Sequence, residues 1–303
     1  MKTKFKSSIH TMCYSFGRAI CAGAVMLIAS SAPAQNLFVA DHGSGNVYEF
    51  SPSGAQSTFG SGMYYANGVA FDSAGDLFVA GGVSGNIYKV SPSGVKNTFA
   101  SGLDNPDGLA FNSAGILFMS DWSTGSIDTF TPSGVKSTFA SGLQNPDGMV
   151  FDSAGNLFVA DQGSGHIYEF TPEGVKSTFT SGLNQPVYLA FDSAGNLFET
   201  DYGSGNIYEF KNVNGTLDPN ATLFASELQN PDGLAFNSVG DLFVADSSSG
   251  NIYEFTPDGV RNNFASGLVQ PYGLAIEPVP EPSALGLLAV GVVAFVLRRR
   301  MHP

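Results

Sequence analysis

From Asn36 onward the chain alternates short apolar runs with clusters of Gly, Ser, Asn and Pro, and this pattern recurs as a long repeat. The Leu-Phe pair sets the phase. NLFVADHGSGNVYEFSPSG begins at Asn36, DLFVAGGVSGNIYKVSPSG at Asp76 and ILFMSDWSTGSIDTFTPSG at Ile116. NLFVADQGSGHIYEFTPEG follows from Asn156, NLFETDYGSGNIYEF from Asn196 and DLFVADSSSGNIYEFTPDG from Asp241. The six starts lie 40 residues apart, except for a last interval of 45. The added residues fall within Lys211–Thr222, which is expected to be a longer surface loop.

Each unit holds four apolar runs, typified by LFVA, NIYEF, STFAS and GLAF. Runs this short, rich in β-branched and aromatic residues and bounded by turn formers, predict strands rather than helices. DSAGN and GSGN place Gly where a tight hairpin needs positive φ. Four strands in each of six units predict an all-β, six-bladed β-propeller of four-stranded blades spanning residues 35–278. The repeat begins on LFVA (37–40) and ends on GLAI (273–276), a GLAF-type strand. If GLAF is the innermost strand, the last copy completes the first blade, a strand exchange that closes the ring and removes open sheet edges. Phenylalanine recurs at Phe38, Phe78, Phe118, Phe158, Phe198 and Phe243, and again at Phe59, Phe99, Phe139, Phe179, Phe224 and Phe264. These rings are expected to fill the space between blades, each contributing about 2–3 kcal/mol by burial.

The two ends break the pattern. Residues 1–34 carry Lys2, Lys4, Lys6 and Arg18, then an apolar stretch over 19–29, then Ala32-Pro33-Ala34. A basic start, a short apolar run and small residues two apart predict a secretory signal peptide cleaved after Ala34. Both cysteines, Cys13 and Cys21, fall inside it, so the mature domain is expected to rely on packing without disulfides. At the other end, residues 279–303 hold Val279-Pro280-Glu281-Pro282, an apolar run Ala284–Leu297 and Arg298-Arg299-Arg300. The apolar run predicts a hydrophobic helix with a basic anchor. Its 14 residues would reach about 21 Å, short of a bilayer core of roughly 30 Å.

Removing the ends leaves six basic residues against 25 acidic ones, a net charge near −19. Nucleic acid is thereby excluded as a partner, because a phosphate backbone demands clustered Lys and Arg. Cations, neutral glycans and basic proteins remain compatible.

Two acidic sets lie in the loops expected on one face. The first is Asn67, Asp107, Asp147 and Asp232, each followed by Gly, with Val187 and Tyr272 interrupting it. It reads either as turn chemistry, where Asp or Asn caps its own loop, or as a central cation site, since Ca²⁺ and other hard divalent cations take several converging oxygens. The second set, Asp41, Asp121, Asp161, Asp201 and Asp246, interrupted by Gly81, reads as hairpin chemistry. His42 and His166 are the only histidines between the two ends, and no Cys–His or Ser–His pairing is recognisable. Trp122, Tyr188 and Tyr272 depart from the repeat near the same face and mark a possible ligand patch.

The tail resembles the PEP-CTERM sorting signal, with Val279, Pro280, Glu281 and Pro282 as the motif, followed by the helix and the Arg cluster. The resemblance implies export, processing by an exosortase-type enzyme and transient or stable inner-membrane association of the helix. It places the protein at the cell surface or in an extracellular polysaccharide matrix. The repeat NPDGLAFNSAGILFMSD resembles NHL-type propellers and the gluconolactonase (regucalcin, SMP-30)-like family. In the latter, Asn or Asp at the channel mouth coordinates a divalent metal, which implies that role for Asn67, Asp107, Asp147 and Asp232. No innermost strand begins with Glu, and the mouth has no Arg to hold an acidic or lactone substrate. The reading is therefore a non-catalytic binding or matrix protein that engages extracellular polysaccharide or surface proteins. A Ca²⁺-type gluconolactonase-like hydrolase is the alternative.

Overall fold

A computed structural model describes residues 35–278. The secretory segment with Ala32 and Ala34, and the sorting segment from Val279 onward, lie outside the described residues. The described chain is all strand and turn, without a helix, and no helix among these residues is long and apolar enough to cross a membrane.

The first blade contains β1 (Leu37–Asp41), β2 (Asn46–Phe50) and β3 (Gln56–Gly60). The second holds β4 (Ala66–Phe71), β5 (Leu77–Gly81), β6 (Asn86–Val90) and β7 (Lys96–Ser101). The third holds β8 (Pro106–Phe111), β9 (Leu117–Asp121), β10 (Ser126–Phe130) and β11 (Lys136–Ala140). The fourth holds β12 (Pro146–Phe151), β13 (Leu157–Asp161), β14 (His166–Phe170) and β15 (Lys176–Ser181). In the fifth, β16 (Pro186–Phe191), β17 (Leu197–Asp201) and β18 (Asn206–Phe210) are followed by β19 (Asn212–Val213), β20 (Thr216–Leu217) and β21 (Thr222–Ala225). The sixth holds β22 (Pro231–Phe236), β23 (Leu242–Asp246), β24 (Asn251–Phe255) and β25 (Arg261–Ala265), and β26 (Pro271–Ile276) ends the repeat.

All blades are antiparallel meanders, and β26 joins the first sheet in the order β26-β1-β2-β3. Leu37 pairs with Ile276, Phe38 with Ala275 and Val39 with Leu274. The closure expected from the repeat phase is therefore present, and both ends of the ring share one sheet. The added residues of the fifth blade form a small hairpin, β19–β20, rather than an irregular loop.

The period-two alternation of each LFVA strand is buried on both sides. Leu37 and Val39 face Phe243, Ala245 and Ile252 of the sixth blade, while Phe38 and Ala40 face Val69, Leu77 and Val79 of the second. Five of the six first-set phenylalanines are gripped edge-on by two others, while Phe243 meets Phe264 and has Ile276 in place of the second ring. Phe38 meets Phe59 at 4.8 Å and Phe71 at 5.0 Å, and Phe118 meets Phe139 and Phe151 at 5.1 and 5.0 Å. The phenylalanines are thus inter-blade core, in the edge-to-face geometry that ring quadrupoles favour.

A candidate binding site at the mouth of the axial channel

Five of the six innermost strands enter the ladder through a proline, and β4 through Ala66; each then bulges. Pro146 faces Asp161 and Met149 faces Val159, so Asp147 and Gly148 together oppose Ala160 alone. Asn67-Gly68, Asp107-Gly108 and Asp232-Gly233 repeat this register. A bulge re-aims a side chain out of the ladder, and here it turns the Asn and Asp toward the axis. The glycine that follows is required by packing. A Cβ on Gly108 would stand 2.3 Å from the Asp147 carbonyl oxygen, and one on Gly233 would stand 2.2 Å from that of Tyr272. Successive innermost strands therefore approach backbone to backbone.

The fifth blade breaks this rule. Tyr188 occupies the glycine position, opposite Thr200. Its ring lies beside Gly148 of the fourth blade, and its hydroxyl comes within 3.1 Å of where a Cβ on Gly273 of the first sheet would stand. The tyrosine thus crosses the channel and floors the pocket below the acidic ring. Its hydroxyl is buried and has no hydrogen-bond partner.

The ring itself is buried and interacting. Asn67, Asp107, Asp147 and Asp232 are all buried, as is Val187, which interrupts them. Asn67 Nδ2 donates to Asp107 Oδ2 at 3.3 Å, and His42 Nδ1 donates to Asn67 Oδ1 at 2.7 Å. Burial is the main force raising the three carboxyls above their ordinary range, because it penalises the charged form. Asp107 is pushed up to about 7, with the Asp121 charge adding to burial. Asp147 is raised further by Asp107 and Asp232, and Asp232 by Asp107. Carboxyls from the third, fourth and sixth blades can act on one another only because they share the axial space. The Tyr188 hydroxyl is likewise pushed up by burial and then by all three carboxylates.

Hydroxyls from neighbouring blades steady the ring from behind. Ser120 Oγ accepts from Gly108 N at 2.8 Å and donates to the Asp147 carbonyl at 2.7 Å. Thr200 Oγ1 accepts from Tyr188 N at 3.1 Å and donates to the Asp232 carbonyl at 2.6 Å. Both stand where the other units have Ala.

Above the ring lies a rim that the sequence reading noticed only in part. His42, Gly82, Trp122, Gln162, Tyr202 and Ser247 occupy one repeat position, directly after the second acidic set or Gly81. Backbone bonds of 3.0 Å tie Gly82 to Tyr65 and Trp122 to Asn105 in the mouth loops. Trp122 Nε1 donates to Gln162 Oε1 at 3.2 Å. His42 stacks on Tyr272 at 4.4 Å and meets Tyr65 edge-on at 4.5 Å. Burial lowers the His42 imidazole below its usual value, against the opposing pull of Asn67 and Asp41. The signal was available: this is a position at which all six units carry different residues.

The second acidic set is structural. Asp161 accepts from Gln144 N at 2.8 Å and from Ser164 Oγ at 2.9 Å, and Asp41 accepts from Val269 N at 2.9 Å and Gln270 N at 3.0 Å. These carboxylates cap their own hairpins and also tie down the loop that leads to the innermost strand. His166 sits on β14, stacked on Tyr168 at 5.5 Å, away from the axis. Among the described residues no three His, Cys, Asp or Glu side chains are gathered tightly enough to hold a metal ion.

The opposite face carries inter-blade clefts, the larger about 560 Å³ and lined by Phe158, Phe179, Phe191, Asp152 and Asp192. These residues belong to the repeated DSAGN turns and phenylalanine triads, and the β19–β20 hairpin, through Asn212 and Leu217, completes the lining.

Comparison with known proteins adds the following. Residues 278–300 match the PEP-CTERM protein-sorting motif. None of the curated proteins matches the chain. The solved nidogen/laminin complex contains a chain similar to this one, with a TM-score of 0.73 and 19% identity, covering 82% of this chain and 99% of that one. Virginiamycin B lyase from Staphylococcus aureus is similar with a TM-score of 0.59 and 12% identity, over 80% of this chain and 85% of its own. A gluconolactonase-like structure gives a TM-score of 0.59 and 18% identity over 65% of this chain and 76% of its own. At such identities these likenesses establish the fold alone. The chain is a six-bladed β-propeller bearing a C-terminal PEP-CTERM sorting motif, which makes it an exported protein that an exosortase sorts at the cell envelope.

Proposed function

We propose that the propeller is a non-catalytic binding module of the extracellular polysaccharide layer, and that its ligand sits at the channel mouth. The observation that carries this reading is the rim. Repeats that are otherwise nearly uniform diverge around the mouth, and the divergent residues include Trp122, Tyr202 and His42 stacked on Tyr272. Aromatic rings with a polar edge are well suited to sugar faces. Tyr188 closes the floor, so a ligand binds to a blind pocket rather than threading a pore. Nothing around the pocket pairs a nucleophile with a base, and the only nearby histidine, His42, is engaged by Asn67.

Binding of soluble glycan oligomers, followed by calorimetry, tests the proposal. Trp122→Ala is expected to weaken binding at least tenfold without lowering the melting temperature, while Asp192→Asn on the opposite face leaves it unchanged. Equal binding by both variants would refute the mouth as the site.

The coupled carboxyls support a second reading, a Ca²⁺-dependent hydrolase, because a cation would relieve the repulsion among Asp107, Asp147 and Asp232. On that reading Asn67, Asp107, Asp147 and Asp232 supply oxygen ligands, and Ca²⁺ titration with a lactone hydrolysis assay would detect both binding and turnover. Turnover abolished by Asp147→Ala would establish the enzyme and overturn the binding-only function.

A further inference from the structure

The axial pocket gathers negative charge and contains no cation to meet it. The described residues include six basic side chains; five lie on the outer two strands of their blades and Lys211 lies between β18 and β19. Lys89 pairs with Asp72 and Asp76, Lys136 with Asp128 and Lys211 with Glu209. Lys96, Lys176 and Arg261 lie over Tyr88, Tyr168 and Tyr253 of their own blades. Uncompensated carboxyls in a shielded cavity carry a free-energy cost that a positively charged ligand would remove.

Building on the channel mouth as the binding site, we propose that the ligand is a glycan carrying a protonated primary amine, that is, an amino-sugar residue. Its ammonium would lie among Asp107, Asp147 and Asp232, and its ring against the aromatic rim. Four observations converge on this class. Asp107, Asp147 and Asp232 are all buried at equivalent bulged positions of three innermost strands, so one compact cation can address all of them. They are nevertheless not gathered around a single point as a metal ion requires. An ammonium projects three diverging donors, one for each carboxyl, and reaches oxygens at about 2.8 Å, farther than metal–oxygen bonds of about 2.4 Å. The Tyr188 hydroxyl, buried and unpartnered at the pocket floor, offers an acceptor or donor to the same ligand. Finally, the π faces of Trp122, Tyr202 and Tyr272 at the mouth attract a cation as well as the apolar face of a sugar. A neutral glycan would satisfy the rim and leave the carboxyls unmet.

The probes are a matched pair, a glucosamine tetramer and the N-acetylglucosamine tetramer, titrated calorimetrically into the full chain near neutral pH. Acetylation removes the charge while keeping the sugar ring. The amine form is expected to bind at least tenfold more tightly than the acetylated form. Asp147→Asn, which installs the residue that the second unit carries as Asn67, is expected to cut affinity for the amine at least tenfold. Tyr188→Phe, which keeps the ring and loses only the hydroxyl, is expected to cut it about three- to tenfold, which guards against a folding defect in the first variant. Equal affinity for the two tetramers, with both weakened by Trp122→Ala, would overturn the amine inference and leave the mouth as a glycan site. Binding of neither tetramer, or binding of the amine that only Asp192→Asn weakens, would overturn the amine inference. The second of these would also remove the mouth as the site.

Discussion

Replacing Glu199 by methionine is expected to stabilise the propeller by about 2–4 kcal/mol at neutral pH. Glu199 is 0% exposed on β17, and neither of its carboxyl oxygens has a hydrogen-bond partner. Its counterparts in the other five units are Val39, Val79, Met119, Val159 and Val244, all 0% exposed. The repeat therefore marks this position as apolar inter-blade core, and the fifth unit departs from it. A buried polar group left unpartnered costs about 1–3 kcal/mol, and an ionised one more. Methionine removes that cost and conserves volume, as Met119 already does in the third blade, so little cavity penalty should offset the gain. Burial raises the Glu199 carboxyl well above its ordinary value, with the Asp201 charge adding to it. A raised folded-state value contributes stability that is complete below about pH 4 and is lost as pH rises. The advantage of Glu199→Met should therefore shrink toward pH 4.5, where the wild-type carboxyl is protonated when folded and about half protonated when unfolded. Denaturant unfolding at pH 7.5 and pH 4.5 reads both effects, and a Tm increase of about 5–15 °C should accompany the change at pH 7.5. Glu199→Gln separates the terms, since it removes the charge but keeps an unpartnered amide, and it should recover only part of the gain. A neutral or destabilising Glu199→Met at pH 7.5 would refute the reasoning.

Other predictions follow from the same geometry. Asp107, Asp147 and Asp232 are all raised on folding, so wild-type stability should fall as pH rises from 4 through 7, with Asp107, at about 7, titrating at the upper end of that window. Urea midpoints across this range check it, and Asp107→Asn should flatten the slope. Gly108→Ala should destabilise by about 2 kcal/mol or more, because the new Cβ would meet the Asp147 carbonyl at 2.3 Å; thermal melts will read this directly. Thr200→Val should cost about 1–2 kcal/mol, since it leaves the Asp232 carbonyl and Tyr188 amide without the hydroxyl they share. A denaturation midpoint unchanged from wild type would show that this bridge contributes nothing.

Much of this architecture could be read from the chain alone, because a repeat states its own structure six times. The LFVA, NIYEF, STFAS and GLAF runs marked the strands, and the phase of the first and last runs marked the closure that Leu37–Ile276 pairing completes. The recurring phenylalanines were legible as core for the same reason. Asn67, Asp107, Asp147 and Asp232 were legible as a set on one face, since equivalent positions in a closed ring must form a circle. The same regularity concealed function, because a side chain common to every unit points first to the fold.

What only the tertiary structure decided lies at the exceptions. The sequence places Asn67, Asp107, Asp147 and Asp232 each before a glycine, but the bulge that turns them to the axis arises from ladder register, which no local pattern encodes. The sequence marks Tyr188 as a departure from the repeat, but only the close approach of the innermost strands shows that a side chain at this glycine position must cross the channel. Glu199 passed unnoticed because its cost depends on the absence of any partner across the blade interface, a property of packing rather than of neighbours in the chain. The sequence by itself determined the blades, the closure and the sorting motif, because these rest on periodicity and on a short linear motif. The channel's charge, its floor and its rim were decided by the folded ring, where residues from different blades meet at distances that set their chemistry.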